Sequence, residues 1–376
     1  MDSVAAAVAA LRAEHPSVGG SGWDFDGFRV WVESNEPKLL AELDAYFVDF
    51  RRIPAAHAEA GSGPITRITA IQAAPPDFAN GHTPTLGEYK PSVKGPKEAY
   101  FDVDDGRVVH KLRTGMWFLF GRDHHLAIGP CTDNPNQVIN FVNNRMIQWA
   151  LHRGALLGHG SAVCHAAGPD SGALPRALAI AGFSGMGKST LALHLMNDRR
   201  LDFVSNDRVM IQPRSAGEHG RVELEGVPKH PRINPGTILN NPALAGVIGP
   251  NERAQFEALP RAELWQLEHK YDGLIGACFP EQRFRLRAEL GALILLNWQL
   301  GAGPAKAARI DVRERPELLL ALMKEPGVFY RPGPGEVPTR DVDRYIEFLA
   351  GVEVLELSGG VDFDLGRAAA LELLGL

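Results

Sequence analysis

Cysteine is scarce in this chain. Cys131, Cys164 and Cys278 are the three among 376 residues, far apart and with no CxxC pair. This excludes a disulfide framework and a cysteine zinc site, and the thiols are read as reduced. An excess of positive charge is lacking too: 39 Lys and Arg stand against 45 Asp and Glu, a net charge of -6. The basic footprint that nucleic-acid binding needs is therefore missing. No long hydrophobic run is present either, since LGALILLNWQL (290 to 300) falls short of the ~20 apolar residues of a membrane span. The opening MDSVAAAVAALRAEHP lacks the basic start of a secretory leader and reads as a short amphipathic helix. These absences point to a protein of the cytoplasm, with neither nucleic acid nor membrane as partner.

What is present is ordinary globular material, 45% hydrophobic and 22% charged, enough for two cores of domain size. GGSG (19 to 22) reads as a loop and FRVWVES (28 to 34) as a strand. Behind Asn35 and Pro37 the apolar spacing of Leu39, Leu40, Leu43, Tyr46, Phe47 and Phe50 predicts a helix. PAAHAEAGSGPI (54 to 65) is a loop by composition. Residues 100 to 129, split at Asp105-Gly106, at Thr114-Gly115 and at Gly121 to Asp123, predict an antiparallel meander. His124 and His125 fall in its last turn without a third ligand and are read as surface. A helix through Ile139, Val142, Met146 and Trp149 closes this region, and the domain boundary is placed near residue 150. Residues 1–150 then form a smaller α+β domain and residues 151–376 a second domain with a mixed sheet. The overall class is α/β.

In the second domain two apolar strands, ALLGHGSAVCHA (155 to 166) and RALAIAG (176 to 182), flank the turn-rich GPDSGALP, so a hairpin feeds GFSGMGKS (182 to 189). That octet matches GxxxxGK[ST] in full and has the strand before it and the helix after it that the pattern needs. Gly182, Ser184, Gly185, Met186 and Gly187 supply the curl of inward N–H groups, and Lys188 is suited to the terminal phosphates of a nucleotide. Ser189 is suited to magnesium, and Thr190 completes the nucleotide-binding stretch. The metal needs a carboxylate, and FVSNDRV (203 to 209) ends the next strand with Asp207; the plain alternative is an Asn-Asp turn. From there to about residue 260 the sequence reads as β-rich and broken by Pro and Gly.

These residues resemble the HPr kinase/phosphorylase family. A hairpin bearing His159-Gly160, then the glycine loop, then a strand ending in a paired-acid position some seventeen residues on, is similar to that family and more distantly to phosphoenolpyruvate carboxykinase. GVPKHPRINPGT (226 to 237) and EHKYDG (268 to 273) look similar to the branch called HPr-kinase-related kinases, B type. The resemblance spans roughly residues 150 to 300; residues 1–150 do not look like the N-terminal domain of the bifunctional enzyme. It implies an HPr-kinase-like P-loop domain and a kinase using ATP and Mg²⁺, with a hydroxyl as acceptor on a protein serine or a small molecule. It further implies Lys188 and Ser189 on nucleotide and metal, Asp207 as a metal ligand, His159 in the active site, and a homo-oligomer. The departure is Asn206, because the family's first acid there takes the proton from the acceptor and an amide cannot. Asp207 or a residue outside the pair is then the base, or proton removal matters little in a loose transition state.

His159 keeps a second reading, a satisfied histidine on an apolar strand. In GVPKHPRINPGT, Lys229, His230 and Arg232 are three cations in a proline-fixed loop, with Arg232 expected on the moving phosphoryl group and a solvated basic turn as the alternative. Glu268, Lys270 and Asp272 read as a charged surface turn that also contains candidates for the missing base. Two other functions stay open: a nucleotide-binding module that has lost catalysis, and, ranked last, a carboxykinase-like enzyme, which needs a lysine and a histidine before the loop as metal ligands, where His159 and His165 are the candidates and no lysine lies between Lys111 and Lys188.

Overall fold

Antiparallel hairpins and a few parallel pairings build two mixed sheets in the computed structural model, which describes residues 3–59, 64–87, 95–166, 173–213, 222–260, 263–264, 267, 269–333 and 341–376. The fold is mixed α/β. It divides into one unit of Met1–His152 with Pro326–Pro338 and another of Arg153–Glu325 with Thr339–Leu376.

In the first unit the strands are β1 (Gly19–Phe25), β2 (Phe28–Ser34), β3 (Arg51–Arg52), β4 (Thr66–Gln72), β5 (Thr85–Leu86), β6 (Glu98–Val103), β7 (Gly106–Lys111), β8 (Met116–Gly121) and β9 (His125–Gly129). Their order is β3-β1-β2-β4-β9-β8-β7-β6-β5, with β4 parallel to both β2 and β9 and the other pairs antiparallel. Helix α1 (Val4–Glu14) buries Val4, Val8 and Leu11 against Leu119, Leu126 and Ile128. Its N-terminus is held by the Asp105 carboxylate, which accepts from the Val4 and Ala5 N–H groups. Helix α2 (Pro37–Tyr46) starts at the expected Pro37, with Glu36 as its N-cap, a short helix α3 (Ala55–Glu59) stands where the composition reads as loop, and α4 (Pro135–Leu151) ends the segment.

Three readings change here. GGSG is not a loop but the start of β1. The Trp31 ring on the neighbouring strand lies across it, so a Cβ on Gly20 would come within 2.6 Å of the indole nitrogen. The glycines make room for a ring rather than a turn. His125 is not at the surface: it lies buried on β9 opposite Phe120, and burial drives its imidazole down to about 3. The sequence also gave no sign that residues 326–333 belong to this unit. Phe329 packs with Phe118, Phe120 and Phe141, while the buried Arg145 guanidinium sits 4.1 Å from the Phe120 ring centre and donates to the Phe329 carbonyl. A buried cation with aromatic faces and a carbonyl is a strong tether for this short segment.

In the second unit the strands are β10 (Leu156–Gly158), β11 (Gly160–His165), β12 (Arg176–Gly182), β13 (Leu201–Ser205), β14 (Val209–Pro213), β15 (Val222–Gly226), β16 (Arg232–Ile233), β17 (Tyr271–Asp272), β18 (Arg287–Trp298), β19 (Lys306–Arg309) and β20 (Glu353–Gly359). The main order is β10-β14-β15-β18-β12-β11-β13. The expected hairpin is β11–β12, antiparallel, although residues 167–172 of its connection lie outside the described set. One edge of the long β18 runs parallel to β12. Its other edge is shared, the first half antiparallel to β15 and the second half parallel to β20. Helix α5 (Lys188–Leu195) buries Leu191, Ala192, Leu193 and Leu195, an apolar surface wider than one stripe, because it has neighbours on several sides. The sheet is one and the helix Phe363–Leu374 another, where Gly366 admits Leu191 so closely that a Cβ would stand 3.2 Å from it.

The stretch expected to be β-rich up to residue 260 is mostly helical after β15. The helices Pro235–Leu239 and Pro250–Glu257 and the 3-10 turn Pro242–Val247 each begin with a proline, behind Asn234, Gly249 and Asn241. Proline was read as breaking strands, yet here each proline takes the first helical position, twice behind an asparagine N-cap.

Candidate functional site

The glycine loop leaves β12 at Gly182 and enters α5 at Lys188. Gly185 at φ +85° and Gly187 at φ +88° place the chain in the left-handed region that residues with a Cβ avoid. Gly187 is the N-cap of α5 and offers no side chain to the first-turn N–H groups, so that end of the helix is open to an anion.

Lys188 is only 8% exposed, and its Nζ donates to the carbonyls of Gly182 (2.7 Å) and Phe183 (3.1 Å). Among the described residues no carboxylate pairs with it. Burial pulls its ammonium down to about 8; Asp207 acts in the opposite direction, and the charges of Arg208 and Lys270 add to the depression. A desolvated cation beside a glycine curl favours an anionic ligand. An oxyanion binds the protonated amine, so affinity for a triphosphate should be flat below about pH 8 and fall towards tenfold per unit above it. A Lys188→Arg variant should stay flat. Calorimetric titration between about pH 7 and 9.5 checks this, and a wild-type affinity that ignores pH across that range removes Lys188 from the anion.

The strand order brings β13 to the same end of the sheet, separated from β12 by β11. Here the geometry separates two neighbours. Asn206, buried, accepts on Oδ1 from Ser189 Oγ at 2.6 Å and from the buried Ser161 Oγ at 2.9 Å. It is thus Asn206, not Asp207, that meets the loop serine. Asp207 turns away with φ +72°, an uncommon conformation for a residue with a side chain, in a turn closed by Ser205 Oγ donating to the Arg208 carbonyl at 2.5 Å. Its carboxylate meets Arg208 Nη1 at 2.8 Å, His159 Nε2 at 3.5 Å and Lys229 Nζ at 3.9 Å. Burial works to raise its pKa, but Arg208, Lys229, His159 and Lys188 together hold it below the ordinary carboxylate value.

His159 stands between β10 and β11, where one expected strand is in fact two, and its N–H donates to the Leu322 carbonyl at 2.6 Å. Burial and the Lys188 charge push its imidazole down to about 4 against the pull of Asp207. It is neutral at pH 7, a polar neighbour of Asp207 rather than a counter-charge.

The proline-fixed loop contributes unevenly. Lys229 faces Asp207. His230 is fully buried, with its ring against Phe284 and its Nδ1 accepting from the Ile275 N–H at 3.2 Å, so it anchors the loop rather than charging it. Arg232 lies on the β16–β17 ribbon, 52% exposed, 3.7 Å from Asp272 and 3.4 Å from the Lys270 carbonyl. Lys270 reaches Lys188 electrostatically, and Arg232 and Asp272 reach Lys229. Glu268 lies outside the described residues. Beyond the ribbon, Asn234 Oδ1 accepts from Thr237 Oγ1 at 2.8 Å, and Thr237 Oγ1 meets Thr190 Oγ1 at 2.9 Å, tying this loop to the first turn of α5.

Sequence reasoning missed Arg208, Ser161 and Trp298. Arg208 was one position past the quoted acid pair and carried a visible signal. Ser161 and Trp298, whose indole N–H donates to the Met186 carbonyl at 2.8 Å, carry none without the sheet register. Among the described residues no group of three or more His, Cys, Asp or Glu forms a metal cage, and no helix is long and apolar enough to cross a membrane.

These features define a mixed α/β protein whose second unit sets a glycine loop, a buried lysine and a carboxylate ringed by cations at one end of its sheet. No protein-family model matches the chain, and no curated protein does. Among solved structures it is similar to the Hpr(Ser) kinase/phosphatase from Coxiella burnetii, at 11% identity over 58% of this chain and 97% of that one, with a TM-score of 0.26.

Proposed function

We propose that the second unit is the catalytic part of a Mg-ATP-dependent kinase that transfers the γ-phosphoryl group to a hydroxyl, on a protein serine or a small molecule. One observation carries the reading: Lys188 is buried beside a glycine curl, paired with no carboxylate among the described residues, and Asp207 stands close by among cations. In this reading the loop N–H groups and Lys188 bind the terminal phosphates. The Ser189 hydroxyl and the Asn206 amide oxygen are the groups fit to face magnesium, two neutral oxygens that suit an ion held mainly by phosphates and water. The ion offsets phosphate charge. Asp207, charged at neutral pH, accepts the proton of the hydroxyl as its oxygen bonds to the γ-phosphorus and ADP departs. Lys229 and Arg208 orient that carboxylate, and Lys270 and Arg232 add positive potential for the transferred group. Purified protein given ATP labelled at the γ-phosphate, magnesium and lysate fractions should yield a labelled product, with none from a Lys188→Ala control. No product from the wild type, or equal product from both, overturns the reading.

A second reading, a nucleotide-binding module without turnover, is favoured by Asn206 itself, an amide on the loop serine where a carboxylate is the stronger partner for a metal. The variant Asn206→Asp separates the two. For the kinase it should raise magnesium affinity about tenfold in a protein that already turns over. For the silent module it should create transfer where the wild type shows none.

A further inference from the structure

The glycine loop has to keep an unusual shape before any phosphate arrives. Glycines lose more conformational freedom on ordering than any other residue, so a loop with Gly182, Gly185 and Gly187 needs external constraints to hold one form. Two come from within: Lys188 Nζ on the Gly182 and Phe183 carbonyls, and the Met186 N–H on the Phe183 carbonyl at 3.2 Å. A third comes from outside, from Trp298. This residue ends β18, the strand beside β12, in the register that pairs Gly182 with Leu296, so its indole lies level with the loop. It is 3% exposed, and its Nε1–H donates to the Met186 carbonyl at 2.8 Å.

The bond fixes more than a carbonyl. A trans peptide is planar, with its C=O and its N–H pointing in opposite directions, and no cis peptide occurs among the described residues. The carbonyl of Met186 shares its peptide with the N–H of Gly187. Holding one towards the indole turns the other to the opposite side of the peptide, away from Trp298. A second ring backs the first: Phe363 meets Trp298 edge-on with ring centres 5.1 Å apart. Its Cζ lies so near Gly187 that a Cβ there would stand 2.8 Å away.

We propose that Trp298 is a positioning residue of the phosphate loop, its indole aiming the Gly187 N–H at the bound phosphate while Phe363 holds the indole and Gly187 in place. The inference rests on the nucleotide reading above, and the probes are Mg-ATP and inorganic pyrophosphate. A Trp298→Phe variant keeps a ring against Phe363 and loses the donor. It should bind both probes about three- to tenfold more weakly, the loss expected for one hydrogen bond, with the unfolding temperature of the free protein unchanged. A defect shared by ATP and pyrophosphate locates the effect at the phosphates rather than at the base or ribose. Unchanged affinity for both probes, or a loss no larger than the loss of folded protein, overturns the proposal. A second measurement needs no variant: of the indole N–H resonances of the six tryptophans, at least one should move when the wild type is saturated with pyrophosphate, and none moving also overturns it. The two readings fail separately. If neither the wild type nor Lys188→Ala binds pyrophosphate, the phosphate site itself is wrong; if only Lys188→Ala fails to bind and Trp298→Phe matches the wild type, only the role of Trp298 is.

Discussion

An Asp207→Asn variant should keep or tighten its hold on Mg-ATP while losing phosphotransfer by about a thousandfold, within the range that general-base groups contribute. The expectation follows from where the carboxylate points. Its partners are Arg208, Lys229 and His159, and it does not meet Ser189. Removing its negative charge takes away the carboxylate that acts on Lys188 and Lys229 and pairs with Arg208, which favours a polyanion in the ground state. Asparagine also tolerates the left-handed backbone at this position better than most residues, so the fold should survive. Binding and turnover measured side by side decide the matter. A metal-ligand role would appear instead as a raised magnesium requirement, and retained turnover would take Asp207 out of the chemistry.

Lys188→Met should lower triphosphate affinity by a hundredfold or more and, in the same protein, raise the unfolding temperature of the free form by about 2–4 °C. The first effect is the loss of the only side-chain cation in the curl. The second reflects the energetic cost of that cation in the absence of ligand. In the unfolded chain a lysine titrates near its ordinary value, whereas here burial holds it near 8, so folding at pH 7 works against a desolvated charge. The sign of the linkage is clear: a lowered lysine pKa destabilises below about 8 and ceases to do so as pH rises towards the unfolded value. The thermal gain of the methionine variant should therefore shrink between about pH 8 and 10. Calorimetric scans at pH 7 and at about pH 10 test it. A methionine variant less stable than the wild type at pH 7 shows instead that the hydrogen bonds to Gly182 and Phe183 outweigh the burial of charge.

Patterns carried by neighbours in sequence were legible; patterns that depend on strand register were not. The glycine loop, its flanking strand and helix, and the meander of β6 to β9 follow from local spacing and turn chemistry. GGSG misled because glycine marks both turns and places where a ring must lie against backbone, and only the pairing of Gly22 with Trp31 tells them apart. Asn234-Pro235 and Asn241-Pro242 misled because the same dipeptide ends one element and caps the next. At the site, the step from Asn206 to Asp207 was visible as sequence but not as direction. A single left-handed residue sends two adjacent side chains to different partners, and nothing in the residue types foretells that. Trp298 is more than a hundred residues from the loop it bonds, so only the parallel pairing of β12 and β18 brings them together.

The return of residues 326–333 to the first unit bears on how this chain can be divided. The polypeptide crosses between the two units after His152, again after Glu325 and once more after Pro338. A fragment ending at His152 would lack Phe329 and leave the carbonyl-seeking Arg145 and the rings of Phe118, Phe120 and Phe141 without their cover. Neither unit is therefore a cassette that a single recombination point can lift out, and an exchange that moves the first 152 residues must carry this short downstream segment with it.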